Sequence, residues 1–261
     1  LVSVDPRGSG ASFGTRRSEY SPEDVRDAGT VLDWIVAQPW SDGNIGAYGT
    51  SYTGTTAELL CATKHPAIKA VIPGWSDFDL YRSPVRPYGL VASKFIKKWG
   101  LYVRLLDRNR SLFLGGSVRP VVEDSLKPAL KEHKDNMHVY KSVKNGEHRN
   151  TSMDGFNYQK CSVVRWKKEI EASNVPMLVL ASWMDAGTAE GTIQRLENFS
   201  NSQKVVLMAT SHGGWCHASP FTVSDSLLYP VPTMQVQNQL RLEFFDYHLK
   251  GKGTEVEEWP L

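Results

Sequence analysis

The sequence predicts an α/β protein built on a mainly parallel sheet. Short apolar runs of strand length recur at 44–49, 68–73, 175–180 and 204–208, stretches with helical apolar spacing alternate with them, and turn residues separate the two. Such alternation covers a parallel sheet with helices on both faces. It also places functional side chains at the carboxyl ends of the strands.

Leu1-Val2-Ser3-Val4 reads as a strand, and Asp5-Pro6-Arg7-Gly8-Ser9-Gly10 as the turn-rich loop after it. The chain opens inside this strand-like run without Met and stops at Glu257-Glu258-Trp259-Pro260-Leu261, so a segment of a longer protein is expected. Ser21-Pro22-Glu23-Asp24 supplies a cap, a first-turn proline and acidic residues where a helix has orphan N–H groups. Val25, Ala28, Leu32 and Ile35 continue as one apolar face, and Gln38-Pro39 ends it. After the strand at 44–49 come a helix at 55–63 and the strand at 68–73.

The alternation then breaks. Residues 81–170 are basic and aromatic, with Lys94, Lys97, Lys98, Arg104, Arg108 and Arg110 near Phe95, Trp99 and Tyr102, and with helical spacing throughout. A bare loop of this length would be unusual, so a helical insertion with a solvated basic face is expected. Alternation resumes with the strand at 175–180, a helix at 188–199, the strand at 204–208 and a closing helix at 234–249 carrying Val236, Leu240, Phe244 and Leu249. The expected division is 1–80 as the first part of the core, 81–170 as a helical cap, and 171–261 as the second part.

Composition sets limits on function. Hydrophobic residues make up 41% and charged residues 22%, as in a globular domain. The net charge of +2, from 30 basic against 28 acidic residues, gives no reason to expect a nucleic-acid partner. No apolar run reaches membrane-spanning length, so no membrane partner is expected, and the cytoplasm is the favoured compartment. Cys61, Cys161 and Cys216 are spaced unlike a disulfide framework and read as small hydrophobes. No cofactor is expected, because the glycines at 8–14 do not follow a dinucleotide fingerprint. No metal is expected either: His212, Cys216 and His217 are ligand types without a fourth.

The strongest chemical signal is Gly46-Ala47-Tyr48-Gly49-Thr50-Ser51-Tyr52-Thr53-Gly54 between a strand and a helix. A serine at such a sharp turn is lifted to the sheet edge, and small flanking residues let the backbone bend. Thr53 stands where the common G-x-S-x-G pattern has glycine, with Gly54 one place later. A serine nucleophile needs a base, and the base needs a carboxylate to fix its tautomer. Asp185 follows the 175–180 strand and His212 the 204–208 strand, in the chain order serine, acid, histidine. His217 is the alternative base in the same loop, and Asp77 or Asp79 the alternative acid. His65, at a helix end, reads as structural. Trp75, Trp183 and Trp215 are candidates for an apolar pocket wall.

Taken together, Val4-Asp5-Pro6-Arg7-Gly8-Ser9-Gly10-Ala11-Ser12-Phe13-Gly14, Asp33-Trp34-Ile35, Gln38-Pro39-Trp40, the Gly46 to Gly54 motif, Trp183-Met184-Asp185 and Ser211-His212-Gly213 resemble one family. It joins X-prolyl dipeptidyl aminopeptidases, cocaine-esterase-like enzymes and glutaryl-cephalosporin acylases. The resemblance implies an α/β-hydrolase core with an inserted helical cap, and Ser51, Asp185 and His212 as the triad. It accounts for Tyr52 after the serine and Gly54 three places beyond it. It further implies that the Tyr52 backbone N–H and a tyrosine hydroxyl from a loop before Leu1 hold the oxyanion. The family pattern before the histidine, Gly-Pro-Trp-Ser/Thr, is replaced here by Ala209-Thr210-Ser211.

The expected activity is hydrolysis of an ester, an amide or a short peptide through an acyl-enzyme, by a monomer or a homo-oligomer. One alternative is an X-prolyl dipeptidyl aminopeptidase, for which Glu123 or Asp124 is a candidate partner of the substrate amine. The other is a non-catalytic binding fragment with an incomplete oxyanion hole, since losing one donor costs about 2.7–4 kcal/mol.

Overall fold

The computed structural model describes residues 1–110, 117–120, 122, 124–152, 157–221, 229–253 and 255–260. In chain order the elements are α1 (Pro22–Val36), β1 (Ile45–Thr50), α2 (Tyr52–Leu59), β2 (Ile68–Gly74), α3 (Ser93–Asp107), α4 (Leu126–Glu132), α5 (Val139–Asn145), α6 (Lys167–Ser173), β3 (Met177–Ser182), α7 (Thr188–Asn198), β4 (Gln203–Met208), α8 (Met234–Lys250) and α9 (Glu255–Glu258). The strands form one parallel sheet in the order β1-β2-β3-β4, with Met177 to Ser182 of β3 in register with Gln203 to Met208 of β4. No helix among the described residues is long and apolar enough to cross a membrane.

Local sequence explains the elements that position the site. At the start of α1, Ser21 Oγ accepts the Asp24 N–H at 3.1 Å and Asp24 Oδ2 accepts the Ser21 N–H at 2.8 Å, a reciprocal cap that satisfies two orphan donors. Every residue of β3 is buried, as a central parallel strand requires, whereas β1 at the sheet edge is mostly half-buried. One core cluster joins Ala70, Ile72 and Trp75 from β2 and its exit to Leu178 and Leu180 of β3, Met208 of β4, Phe244 of α8 and Val256 of α9.

The chain divides into two compact units: Leu1–Asp24 with Val85–Cys161, and Val25–Pro84 with Ser162–Leu261. The second unit holds the sheet. The first contains α3, α4 and α5, with Lys94, Lys97, Lys98, Arg104, Arg108 and Arg110 all exposed on a solvated basic face.

Two expectations are revised. Residues 1–4 form no strand, and Leu1, Val2 and Val4 are exposed. An alternating apolar pattern makes a strand only where a neighbour completes the ladder. Residues 1–24 also group with the inserted segment, not with the first part of the core. Buried polar contacts explain this. Arg16, 4% exposed, donates to both carboxylate oxygens of Asp107 at 3.2 and 3.0 Å and to Glu19 at 3.3 Å, while Asn136 accepts the Arg16 N–H at 2.6 Å and donates to Gly8 O at 2.7 Å. Burial pushes the Glu19 and Asp107 carboxyls above their ordinary values, and the Arg16 charge opposes the rise.

Beneath the sheet edge, Glu58 of α2 and Arg195 of α7 form an ion pair with both side chains wholly buried; Arg195 Nε donates to Glu58 Oε1 at 2.6 Å and Nη2 to Oε2. Breaking one side of such a pair strands a charge, whereas replacing both partners by apolar groups removes the desolvation cost with the attraction. Arg195→Met is therefore expected to lower unfolding free energy in chemical denaturation by about 3–5 kcal/mol. Glu58→Met combined with Arg195→Met should recover most of that loss; a double variant as unstable as the single one would refute the account.

Candidate active site

Ser51 sits immediately past β1, with φ 63° and ψ −125°, a left-handed conformation that a residue other than glycine holds only when its surroundings enforce it. Its N–H donates to Gly74 O at 2.8 Å, which extends the β1–β2 ladder into the turn. Two glycines make room. A Cβ on Gly49 would lie 2.3 Å from the Thr53 backbone, and one on Gly54 would lie 2.5 Å from Gly74 O. Thr53 explains its own departure from the common motif. Its hydroxyl donates to Thr50 O at 2.9 Å and accepts the Thr50 N–H at 3.0 Å, tying the base of the turn. Spacing alone gave no sign of this role.

Asp185 and His212 leave the carboxyl ends of β3 and β4, and His212 Nδ1 lies 2.7 Å from Asp185 Oδ2. The carboxylate is 9% exposed and the imidazole 50% exposed. The hydrogen bond to Asp185 raises the His212 pKa above its ordinary value; burial opposes the rise, and the charges of Asp185 and Asp77 add to it. The hydroxyl of Thr188, the first residue of α7, has Asp185 O at 3.2 Å and Asp185 Oδ2 at 3.3 Å as acceptors for its one proton. It thereby orients the acid, a role carried by no motif. Among the described residues Ser51 Oγ makes no hydrogen bond, so the serine–imidazole link is open here, as is common before substrate binds.

The other candidate residues occupy different settings. His217 pairs through its backbone with Thr210, and among the described residues its ring makes no hydrogen bond or ion pair. Asp77 influences His212 through charge, and the buried Asp79 accepts the Tyr81 N–H at 3.1 Å. His65 pairs with Asp33 at 3.2 Å and its Nδ1 accepts the Ala67 N–H. Tyr52 is the first residue of α2, where backbone N–H groups point out of the helix.

The three tryptophans differ from one another. Trp75 is 1% exposed and belongs to the core, not to an open wall, because its indole N–H donates to buried Ser182 at 2.6 Å. Trp183 and Trp215 are 54% and 63% exposed on the loops after β3 and β4. Glu123 lies outside the described residues. Among those residues no group of three or more His, Cys, Asp or Glu side chains could hold a metal ion. Cys61 and Cys161 are buried free thiols, and burial pushes that of Cys161 up to about 11.

The family described as X-Pro dipeptidyl-peptidase (S15 family) matches residues 1–214. A Mycobacterium bovis protein provisionally named a serine esterase is 31% identical over 99% of this chain and 46% of its own length. The cocaine esterase of a Rhodococcus species is 25% identical over 97% of this chain and 45% of its own. The chain thus spans about half the length of these curated relatives. In fold it is similar to a crystal structure of a CocE/NonD family hydrolase from Staphylococcus aureus, with a TM-score of 0.70 and 19% identity over 98% of this chain and 38% of that one. The family match takes in residues 1–214, well over half of the chain, and on that ground the chain belongs to the X-Pro dipeptidyl-peptidase (S15) family.

Proposed function

We propose that this chain carries the catalytic core of a serine hydrolase that cleaves ester or amide bonds of small molecules through an acyl-enzyme. The observation that carries the reading is the 2.7 Å contact between His212 and the largely buried Asp185, on the same sheet edge as the strained Ser51. In the reaction, Ser51 Oγ attacks the carbonyl carbon while its proton passes to His212 Nε2. That proton then goes to the departing alcohol or amine, leaving the acyl group on Ser51. Water attacks the acyl carbon, gives a proton to Nε2 and frees the acid, and Ser51 regains its proton. Asp185 accepts the Nδ1–H throughout and stabilises the imidazolium. The Tyr52 N–H, at the positive end of α2, donates to the oxyanion.

An ester is the favoured substrate class, supported by the esterase names of the Mycobacterium and Rhodococcus relatives. The family match supports a second reading, release of X-Pro dipeptides. Hydrolysis of 4-nitrophenyl esters compared with X-Pro 4-nitroanilides separates them. A ratio of kcat/KM in favour of the ester is expected, and turnover of the anilide alone would reverse the order.

An organophosphonate should label Ser51 in the wild type and label nothing in Ser51→Ala. With a 4-nitrophenyl ester, His212→Ala and Asp185→Asn should abolish most of the turnover while His217→Ala retains it. Loss in His217→Ala with retention in His212→Ala would exchange the base.

The base works only when neutral, so activity falls as pH drops through the His212 pKa. Because Asp185 raises that pKa, the acid limb of kcat/KM should have its midpoint above 6.5, the ordinary histidine value. Asp77→Asn removes a charge that favours the imidazolium and should move the limb to lower pH. An unchanged limb would show that Asp77 does not act on the base.

A further inference from the structure

His212 stands on a loop whose two shoulders are held from inside the protein. On one side Thr210, wholly buried, shares a 2.5 Å hydrogen bond with Ser182 Oγ at the end of β3. Ser182 Oγ also accepts the Trp75 indole N–H at 2.6 Å and can send its own proton to Ser211 O at 3.4 Å, so the two hydroxyls and the indole satisfy one another. On the other side Gln237 of α8, also wholly buried, donates from Nε2 to Gly214 O at 3.1 Å and to Pro232 O at 2.9 Å. Gly213 and Gly214 have φ of 82° and 77°, and a Cβ on Gly214 would meet Gln237 Oε1 at 2.5 Å and the Trp75 ring at 2.7 Å. Trp75 therefore reaches both shoulders, with its N–H at Ser182 and its ring edge under Gly214. Between them the His212 side chain is half-exposed.

We propose that Ser182, Thr210 and Gln237 are positioning residues for His212: they fix the backbone on either side of it, so that its imidazole meets Asp185 and faces Ser51 without moving. The proposal rests on the reading of His212 as the base. Apolar side chains of the same shape would fill these buried sites, so what the hydroxyls and the amide add is direction. Apart from the Gln237 bond to Pro232 O, each of these side-chain hydrogen bonds ends on the His212 loop or on a group that holds it. The cost of leaving a buried donor unpaired keeps the loop in this one arrangement.

An isosteric pair of variants separates orientation from packing. Thr210→Val keeps the shape and removes the hydroxyl; Thr210→Ser keeps the hydroxyl and removes a methyl group. Both are compared with the wild-type chain in hydrolysis of 4-nitrophenyl butyrate. Misplacing a catalytic group by about 1 Å can cost about 10²-fold, so Thr210→Val is expected to lose kcat by up to about that factor with KM within about twofold of wild type. Thr210→Ser should recover most of the rate. Gln237→Met, which removes the amide at similar volume, should lower kcat in the same way. Wild-type kcat in Thr210→Val, with Thr210→Ser the slower of the two, would overturn the proposal in favour of packing. If Thr210→Val fails to fold, Gln237→Met decides by the same kcat criterion. A wild-type chain in which Ser51 takes no phosphonate label and hydrolyses no ester overturns this proposal together with the base assignment. A labelled Ser51 with undiminished kcat in these variants overturns the positioning role alone.

Discussion

At the turn that carries Ser51, backbone meets backbone with no Cβ between, and the rest of the site depends on that contact. Gly49 faces the Thr53 peptide, and Gly54 faces Gly74 at the end of β2. Any side chain at these positions would force α2 away from the sheet, and the elbow would relax from its left-handed conformation. The Ser51 N–H would then lose Gly74 O, the link that holds the serine level with the strand ends. Strain at a single residue persists because several independent contacts over-determine it.

The same close approach fixes what lies beneath. With α2 pressed against β1 and β2, Glu58 near its end is driven fully out of solvent, where an unpaired carboxylate would be costly. Arg195 from α7 answers it, and α7 is the helix that Thr188 begins beside Asp185. The helix after Ser51 is therefore tied to the helix after Asp185 by a pair that water cannot screen. A serine and a carboxylate separated by 134 residues of chain (185 − 51) share one frame of reference.

Much of this was legible in the sequence because it is local. Strand-length apolar runs marked all four strands to within two residues, and the elbow glycines and the order of Ser51, Asp185 and His212 pointed to one sheet edge. What escaped is what depends on long-range partners. Leu1 to Val4 had the alternation of a strand but no ladder, and Arg16 drew its segment toward Asp107, 91 residues away, through contacts that leave no period. Thr53, Thr188, Ser182 and Gln237 looked like ordinary polar residues, because a hydrogen bond to a distant carbonyl or carboxylate changes neither hydropathy nor spacing. Trp75 is ambiguous in sequence for a related reason. An aromatic residue after a strand fits a pocket wall as well as a core, and its burial and its bond to Ser182, both set by distant partners, put it in the core here.

The asymmetry of the acid–imidazole pair follows from where each partner leaves the sheet. Asp185 departs from β3, an interior strand whose exit is covered by α7, and its carboxylate keeps little contact with water. His212 departs from β4 and faces outward at half exposure. Desolvating the carboxylate more than the imidazole strengthens its pull on Nδ1–H, while the half-exposed ring keeps contact with solvent. The direction of the His212 shift reflects this balance, since the hydrogen bond to Asp185 outweighs the burial that opposes it. Were both groups exposed, water would compete for the bond; were both buried, no carbonyl could reach the serine. An imidazole that is firmly held yet accessible needs this unequal burial, and the sheet order supplies it.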